Sequence, residues 1–229
     1  MILIILSVLV LVFSAVIHEY AHGWMAFRLG DDTAKKEGRL TLNPLVHLDW
    51  FGSIILPLLF IITKANFFLA WAKPVPYNPY NLRDKKYGEL KVALAGPASN
   101  ILLALFFGLV ARFLPLAEGV RESLIINFFQ GDSSAVFSLT AGSLNASLSL
   151  LAMVICFMNF ALAIFNLMPV PPLDGSKILV ALLPASAREL FWKIERYGFI
   201  VLLALIMLGA FRFVSIAVFW LFSLVTGVS

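Results

Sequence analysis

The sequence predicts an all-α polytopic membrane protein: a bundle of about four to six transmembrane helices, with a short β or re-entrant element after the first helix. Three observations carry this. Of 229 residues, 61% are hydrophobic and only 13% charged. The mean hydropathy of +0.95 lies far above that of soluble domains. Several apolar runs also approach the roughly 20 residues that cross a hydrocarbon core. Residues 1–229 read as a single membrane-embedded domain whose solvent is the lipid bilayer.

In chain order, Ile2 to about Phe27 predicts the first helix, closed by Arg28, Leu29 and Gly30. It lacks a basic start and a small-residue cleavage site, so it does not read as a removed signal peptide. The polar stretch 31–50 contains Gly38-Arg39-Leu40-Thr41-Leu42, an alternation that suits a short strand or hairpin. Residues 51–71 are apolar but broken by Pro57, Lys64 and Asn66, which predicts a re-entrant segment. Residues 73–91 combine Pro74, Pro76 and Pro79 with Arg83, Lys85 and Lys86, a proline-stiffened loop ending in a basic patch. Spans are predicted at 90–114 and 146–168, joined by a loop at 115–145 whose charges lean acidic. Residues 186–196 read as interfacial, and 197–225 is long enough to span, with Arg212 snorkelling or marking a break.

The net charge of +4 comes from clusters that, in such a chain, mark topology rather than a nucleic-acid footprint. Placing the basic loops 73–91 and 186–196 in the cytoplasm brings Asp174 and His18 towards the cytoplasmic side, provided 51–71 does not cross. A prokaryotic cytoplasmic membrane is the expected location. The lone cysteine, Cys156, sits inside an apolar run and reads as a small core residue.

Chemistry concentrates in His18-Glu19-Tyr20-Ala21-His22. On a helix, histidines four apart share a face, so both imidazoles reach one metal, and the glutamate stands ready as general base. Zinc held by two imidazoles and one carboxylate keeps a position for water and lowers its pKa. A chance match would leave two histidines and a carboxylate in a lipid-length apolar helix without partners, which is costly. For Asp174, after Pro171-Pro172-Leu173, the residues alone leave two readings open: a helix N-cap or the third ligand.

Five segments in one order resemble the site-two protease family of intramembrane zinc metalloproteases. They are His18–Gly23, Asn43–Asp49, Trp71–Pro76, Ala95–Asn100, and Asn166–Pro169 continuing to Leu173-Asp174-Gly175. The resemblance implies one catalytic Zn2+ ion held by His18, His22 and Asp174, with Glu19 as base and Asn166 assisting the oxyanion or the substrate backbone. It implies hydrolysis of peptide bonds within or near transmembrane segments of membrane-protein substrates. His47 carries no metal role in the family and reads as structural or substrate-side, paired with a neighbour. An extended substrate adding a strand at 38–42 is a further expectation. With 115–145 too short for a PDZ insert, the chain reads as a minimal member. A metal transporter is the rival class, but Glu19 beside the histidines has no evident purpose in transport. Neither the substrate nor the oligomeric state is written in the sequence.

Overall fold

The computed structural model describes residues 2–55, 59, 62, 72–184, 191 and 195–228. Nine α-helices are named here: α1 Ile2–Arg28, α2 Thr33–Lys36, α3 Gly88–Phe113, α4 Val120–Gln130, α5 Ser133–Thr140, α6 Leu144–Asn166, α7 Asp174–Leu182, α8 Gly198–Met207 and α9 Arg212–Thr226. Among the described residues, α1, α3 and α6 are long and apolar enough to cross a membrane. The pair α8 and α9 makes a fourth candidate, bent by 77° at its break. The chain is therefore a multi-pass integral membrane protein, with the break just before Arg212.

Lipid tails are as apolar as leucine, so helices in a bilayer associate through close packing and interhelical hydrogen bonds. Two helices show how the sequence arranges this. In α1 the buried residues Val10, Ser14, His18, His22 and Ala26 recur every fourth position and form one stripe. In α3 the same spacing selects Gly88, Val92, Gly96, Asn100, Ala104 and Gly108. Small residues along the α3 stripe let α1 and α6 approach its backbone, while Leu102, Leu105, Phe106 and Phe113 stay exposed to lipid. At Gly108 a methyl group would lie 2.6 Å from Val225 of α9 and 2.9 Å from Cys156 of α6. Cys156 is thus the small core residue the sequence indicated.

Two expectations are corrected. No strand or hairpin forms at 38–42. Gly38 takes a positive φ of +66°, and the Arg39 N–H donates back to Ala34 O, so this backbone closes the α2 turn instead of offering an edge. The stretch 115–145 is largely helical rather than a loop. Gly119 and Gly131, at φ +76° and +74°, bound α4, and Asp132 caps α5 by accepting the Ser134 and Ala135 N–H groups. Leu124, Ile125 and Phe128 bury the inner face of α4. The re-entrant reading of 51–71 and the interfacial reading of 186–196 fall mostly outside the described residues, although Trp50–Ile55 forms a π-helical turn.

Between the short 3-10 turn Pro44–His47 and α3, residues 72–78 run extended across the end of α1. Pro74 and Pro76 have no N–H, so between 73 and 77 only Lys73, Val75 and Tyr77 can donate. Lys73 N–H goes to His47 O at 2.8 Å, Val75 N–H to Glu19 Oε2 at 2.8 Å and Asn78 N–H to Asp31 Oδ2 at 2.7 Å. Arg39 Nη2 adds a hydrogen bond to Lys73 O at 2.8 Å.

Candidate metal centre

The α1 stripe delivers His18 and His22 to the face that meets α3, one turn apart. Their rings meet edge to face with centroids 4.6 Å apart. The third group arrives from the far end of the chain. After α6, Met168–Leu173 reverses through a cis Pro171–Pro172 bond, and α7 begins at Asp174. Gly175 packs so tightly on the end of α6 that a methyl there would lie 2.2 Å from Leu167 O, which holds α7 against that end.

The N-cap position of α7 falls to Leu173, and Asp174 is the first helical residue. Its Oδ2 lies 2.9 Å from His18 Nε2 and 3.1 Å from His22 Nε2, and those two nitrogens are 3.0 Å apart. The structure thus puts Asp174 one position past the N-cap, with its carboxylate turned to the two histidines. Oδ1 faces Lys177 Nζ at 3.7 Å, a half-exposed contact of little energetic weight.

The nearly equilateral triangle suits a small cation. Tetrahedral zinc, with bonds of about 2.0–2.1 Å, sets its ligand atoms about 3.3 Å apart, slightly wider than this triangle. The Nδ1 of His22 lies 2.7 Å from Val92 O, an obligate acceptor, so Nδ1 carries a hydrogen and in the neutral ring the Nε2 lone pair faces inward. Space is reserved as well: a methyl on Gly96 would lie 2.3 Å from His22 Nε2 and 2.6 Å from His18 Nε2. Among the described residues this is the one group of three ligand-type side chains arranged to hold a metal ion.

Glu19, on the neighbouring face of α1, accepts the Val75 N–H. His18, His22, Glu19, Asp174 and Asn166 line a cavity of about 480 Å³, with Phe165, Phe199 and Leu202 among its apolar walls. Asn166 Nδ2 donates to Leu162 O at 3.0 Å. Tyr77 closes one side, and burial, reinforced by the negative charges of Glu89, Asp174 and Glu195, pushes its phenol up to about 12, so it stays protonated near neutrality.

His47 stands apart. Its ring is buried and its Nε2 lies 2.9 Å from Thr41 O, so the neighbour it pairs with is a backbone carbonyl six residues back. Sequence reasoning missed Asn159, which lies fully buried in α6 and hydrogen-bonds to Asn100 at 2.7 Å. An asparagine in the middle of a lipid-length apolar run was the available signal. It also missed Val75, whose part is played by its backbone, for which side-chain identity gives no signal.

The model of peptidase family M50 matches residues 6–209. A protein of Bacillus subtilis (strain 168) assigned by name to the zinc metalloproteases, YwhC, is 38% identical over 198 residues, covering 86% of this chain and 78% of that protein. Zinc metalloproteases by the same form of name, called Rip2, are 29% identical in Mycolicibacterium smegmatis and 27% in Mycobacterium tuberculosis (strain H37Rv), each over 218 residues, 94% of this chain and 72% of the relative. No solved structure matches the chain. With a family match over most of its length and three helices able to span a bilayer, the chain belongs to peptidase family M50, the site-two proteases, and is a membrane zinc metalloprotease.

Proposed function

We propose that this protein hydrolyses peptide bonds within or near transmembrane segments of membrane-protein substrates, at a single zinc held by His18, His22 and Asp174. The observation that carries the reading is the triangle of two imidazole nitrogens and one carboxylate oxygen beside Glu19, in an apolar-walled cavity within the helix bundle. Zinc, when bound, polarises a water molecule and the scissile carbonyl.

The chain's own groups supply the rest. Glu19 takes the proton of the attacking water and returns it to the leaving amine. Its Val75 partner holds one carboxylate oxygen and leaves the other for water. Asn166 Nδ2 exchanges Leu162 O for the developing oxyanion or a substrate carbonyl, an exchange that keeps its donor satisfied. Phe165, Phe199 and Leu202 receive apolar side chains of an unwound substrate segment, since a helix must open before its peptide bonds can be reached. The basic loop at 73–91 supports a cytoplasm-facing site in a prokaryotic inner membrane, and residues 1–229 act as one domain.

Zinc content and cleavage of a model transmembrane substrate, compared in wild type, Glu19→Gln and Asp174→Ala, test this. Glu19→Gln is expected to keep zinc and lose cleavage, and Asp174→Ala to lose zinc. Wild type that binds zinc but cuts no member of a broad substrate panel, with Glu19→Gln altering zinc flux into liposomes, would replace the protease with a transporter.

A further inference from the structure

We infer that Asn100, Asn159 and the Ile155 carbonyl form a positioning relay that fixes which nitrogen of His18 is free to bind metal. The inference deepens the zinc-site reading above and rests on it. It concerns residues that sit behind the triangle and face away from the cavity.

The argument starts at the one group in the chain of contacts whose role cannot be exchanged. Ile155 O is a backbone carbonyl and can only accept. The side-chain nitrogen of Asn159 lies 2.9 Å from it, so that atom must be the NH2 end of the amide, and the second contact of the same nitrogen, to Ser14 Oγ at 2.9 Å, agrees. Asn159 Oδ1 is then the end facing Asn100, at 2.7 Å, and Asn100 must present its NH2 there. A longer contact from that NH2 to Ser14 O, at 3.4 Å, points the same way. Asn100 Oδ1 is left facing His18 Nδ1 at 2.5 Å. An amide oxygen only accepts, so Nδ1 must carry a hydrogen, and in the neutral ring the lone pair of His18 sits on Nε2, the atom in the triangle, where Asp174 Oδ2 at 2.9 Å is the competing acceptor until a metal ion stands between them.

The polarity of every amide in this chain follows from one helix carbonyl, whatever end was first labelled oxygen or nitrogen. Its members are shielded: Asn100 and Asn159 have 0% exposure and Ser14 has 4%. Buried polar groups in an apolar bundle are expensive unless fully paired, and here each donor and acceptor that sets the direction is paired. His22 reaches the same state more simply, through Val92 O, so the two histidines are fixed by carbonyls of different helices, α6 and α3. Without the relay, the His18 ring would partition between tautomers, and the form with hydrogen on Nε2 cannot ligate from the triangle.

The test uses the full chain, 15N-labelled at its histidines, of which there are three. Imidazole 15N shifts of the metal-free protein read whether His18 Nδ1 carries a hydrogen, which Asn100 holds whether or not Nε2 also donates to Asp174, and competition with a chelator reads zinc affinity. Asn100→Leu and Asn159→Leu are expected to move His18 away from the Nδ1–H form and to weaken zinc by about 10–100-fold, the usual effect of removing the partner behind a ligand. Ser14→Ala is expected to leave both readouts near wild type, because Ile155 O alone still sets the direction. Asn100→Asp, if buried and protonated towards Asn159, retains an acceptor for His18 and is expected to recover most of the affinity lost in Asn100→Leu. If the leucine variants unfold, Ser14→Ala and Asn100→Asp still decide: a tautomer change in Ser14→Ala with none in Asn100→Asp overturns the relay. Unchanged shifts and affinity in a folded Asn100→Leu also overturn it. Zinc affinity that survives His22→Ala overturns the metal-site reading instead, while the metal-free tautomer measurement continues to judge the relay.

Discussion

Gly23 and Val75 are matched in size: a methyl group on Gly23 would stand 2.8 Å from Val75 Cγ1, inside any normal contact. The same Val75 supplies the N–H that Glu19 accepts, so the distance between α1 and the extended segment 72–78 sets the position of the proposed base. Gly23→Ala is expected to push the segment outward and lower kcat about tenfold, with zinc content unchanged. Adding Val75→Ala removes the opposing methyl groups and should restore most of the rate. A double variant no faster than Gly23→Ala alone would separate the segment's position from Glu19 function.

Gly96 gives a sharper outcome. The histidine nitrogens that a methyl there would meet cannot swing aside, since His22 is held by Val92 O and His18 by Asn100. Gly96→Ala should therefore purify with little or no zinc and lack protease activity, which metal analysis of the detergent-solubilised protein reads directly. Full zinc occupancy would show that the space against α3 is not part of the ligand geometry.

At Gly175 the obstruction is backbone, Leu167 O and Met168 O, at 2.2 and 2.4 Å from the added methyl. Backbone cannot rotate away, so Gly175→Ala forces α7 to shift and carries Asp174 with it. The expected loss is about 1–3 kcal/mol of stability, typical of overpacking, seen as a lower Tm, together with weaker zinc retention. A lower Tm with unchanged zinc would mean that α7 shifts without moving its first residue.

Asp31 ties the end of α1 to Asn78 and Asn81. Burial alone would raise its pKa, but hydrogen bonds from Thr33, Asn81 and Asn78 outweigh that and hold the carboxyl below its usual range. A folded-state pKa that is depressed gives stability present above the unfolded value and lost as pH falls through the folded one. Asp31→Asn should thus cost about 1–3 kcal/mol of stability at neutral pH, seen as a lower Tm, since it leaves a buried donor without an acceptor. The gap to wild type should close on acidification to below the ordinary carboxylate range. A gap independent of pH would assign Asp31 a role in shape alone.

Legibility followed physical cause. The spans of α1, α3 and α6 were readable because lipid imposes composition over a long window, and their observed ends fall within a few residues of those expected. The pairing of His18 with His22 was readable because helical spacing alone dictates it. Asp174 was ambiguous from its own neighbourhood, because nothing local shows that its carboxylate meets His18, 156 positions away. The strand expected at 38–42 failed because alternation of side chains says nothing about where the backbone bonds go, and here the Arg39 N–H turns back to Ala34. Helices α4 and α5 were overlooked because each is short and partly polar, with little to distinguish it from a loop before tertiary contacts form.

The distance along the chain between His22 and Asp174 also sets a timetable for biosynthesis. A ribosome that has released the first helix has already made both histidines and the glutamate, yet the carboxylate that completes the triangle follows 152 residues later. At synthesis rates of about 5–20 residues per second, that interval lasts roughly 8–30 seconds. Throughout it, the nascent protease has no finished centre with which to attack its own unpacked helices or those emerging beside it in the same translocon. Chains arrested before residue 174 should accordingly be inert towards a transmembrane substrate, and competence should appear in a single step once α7 docks.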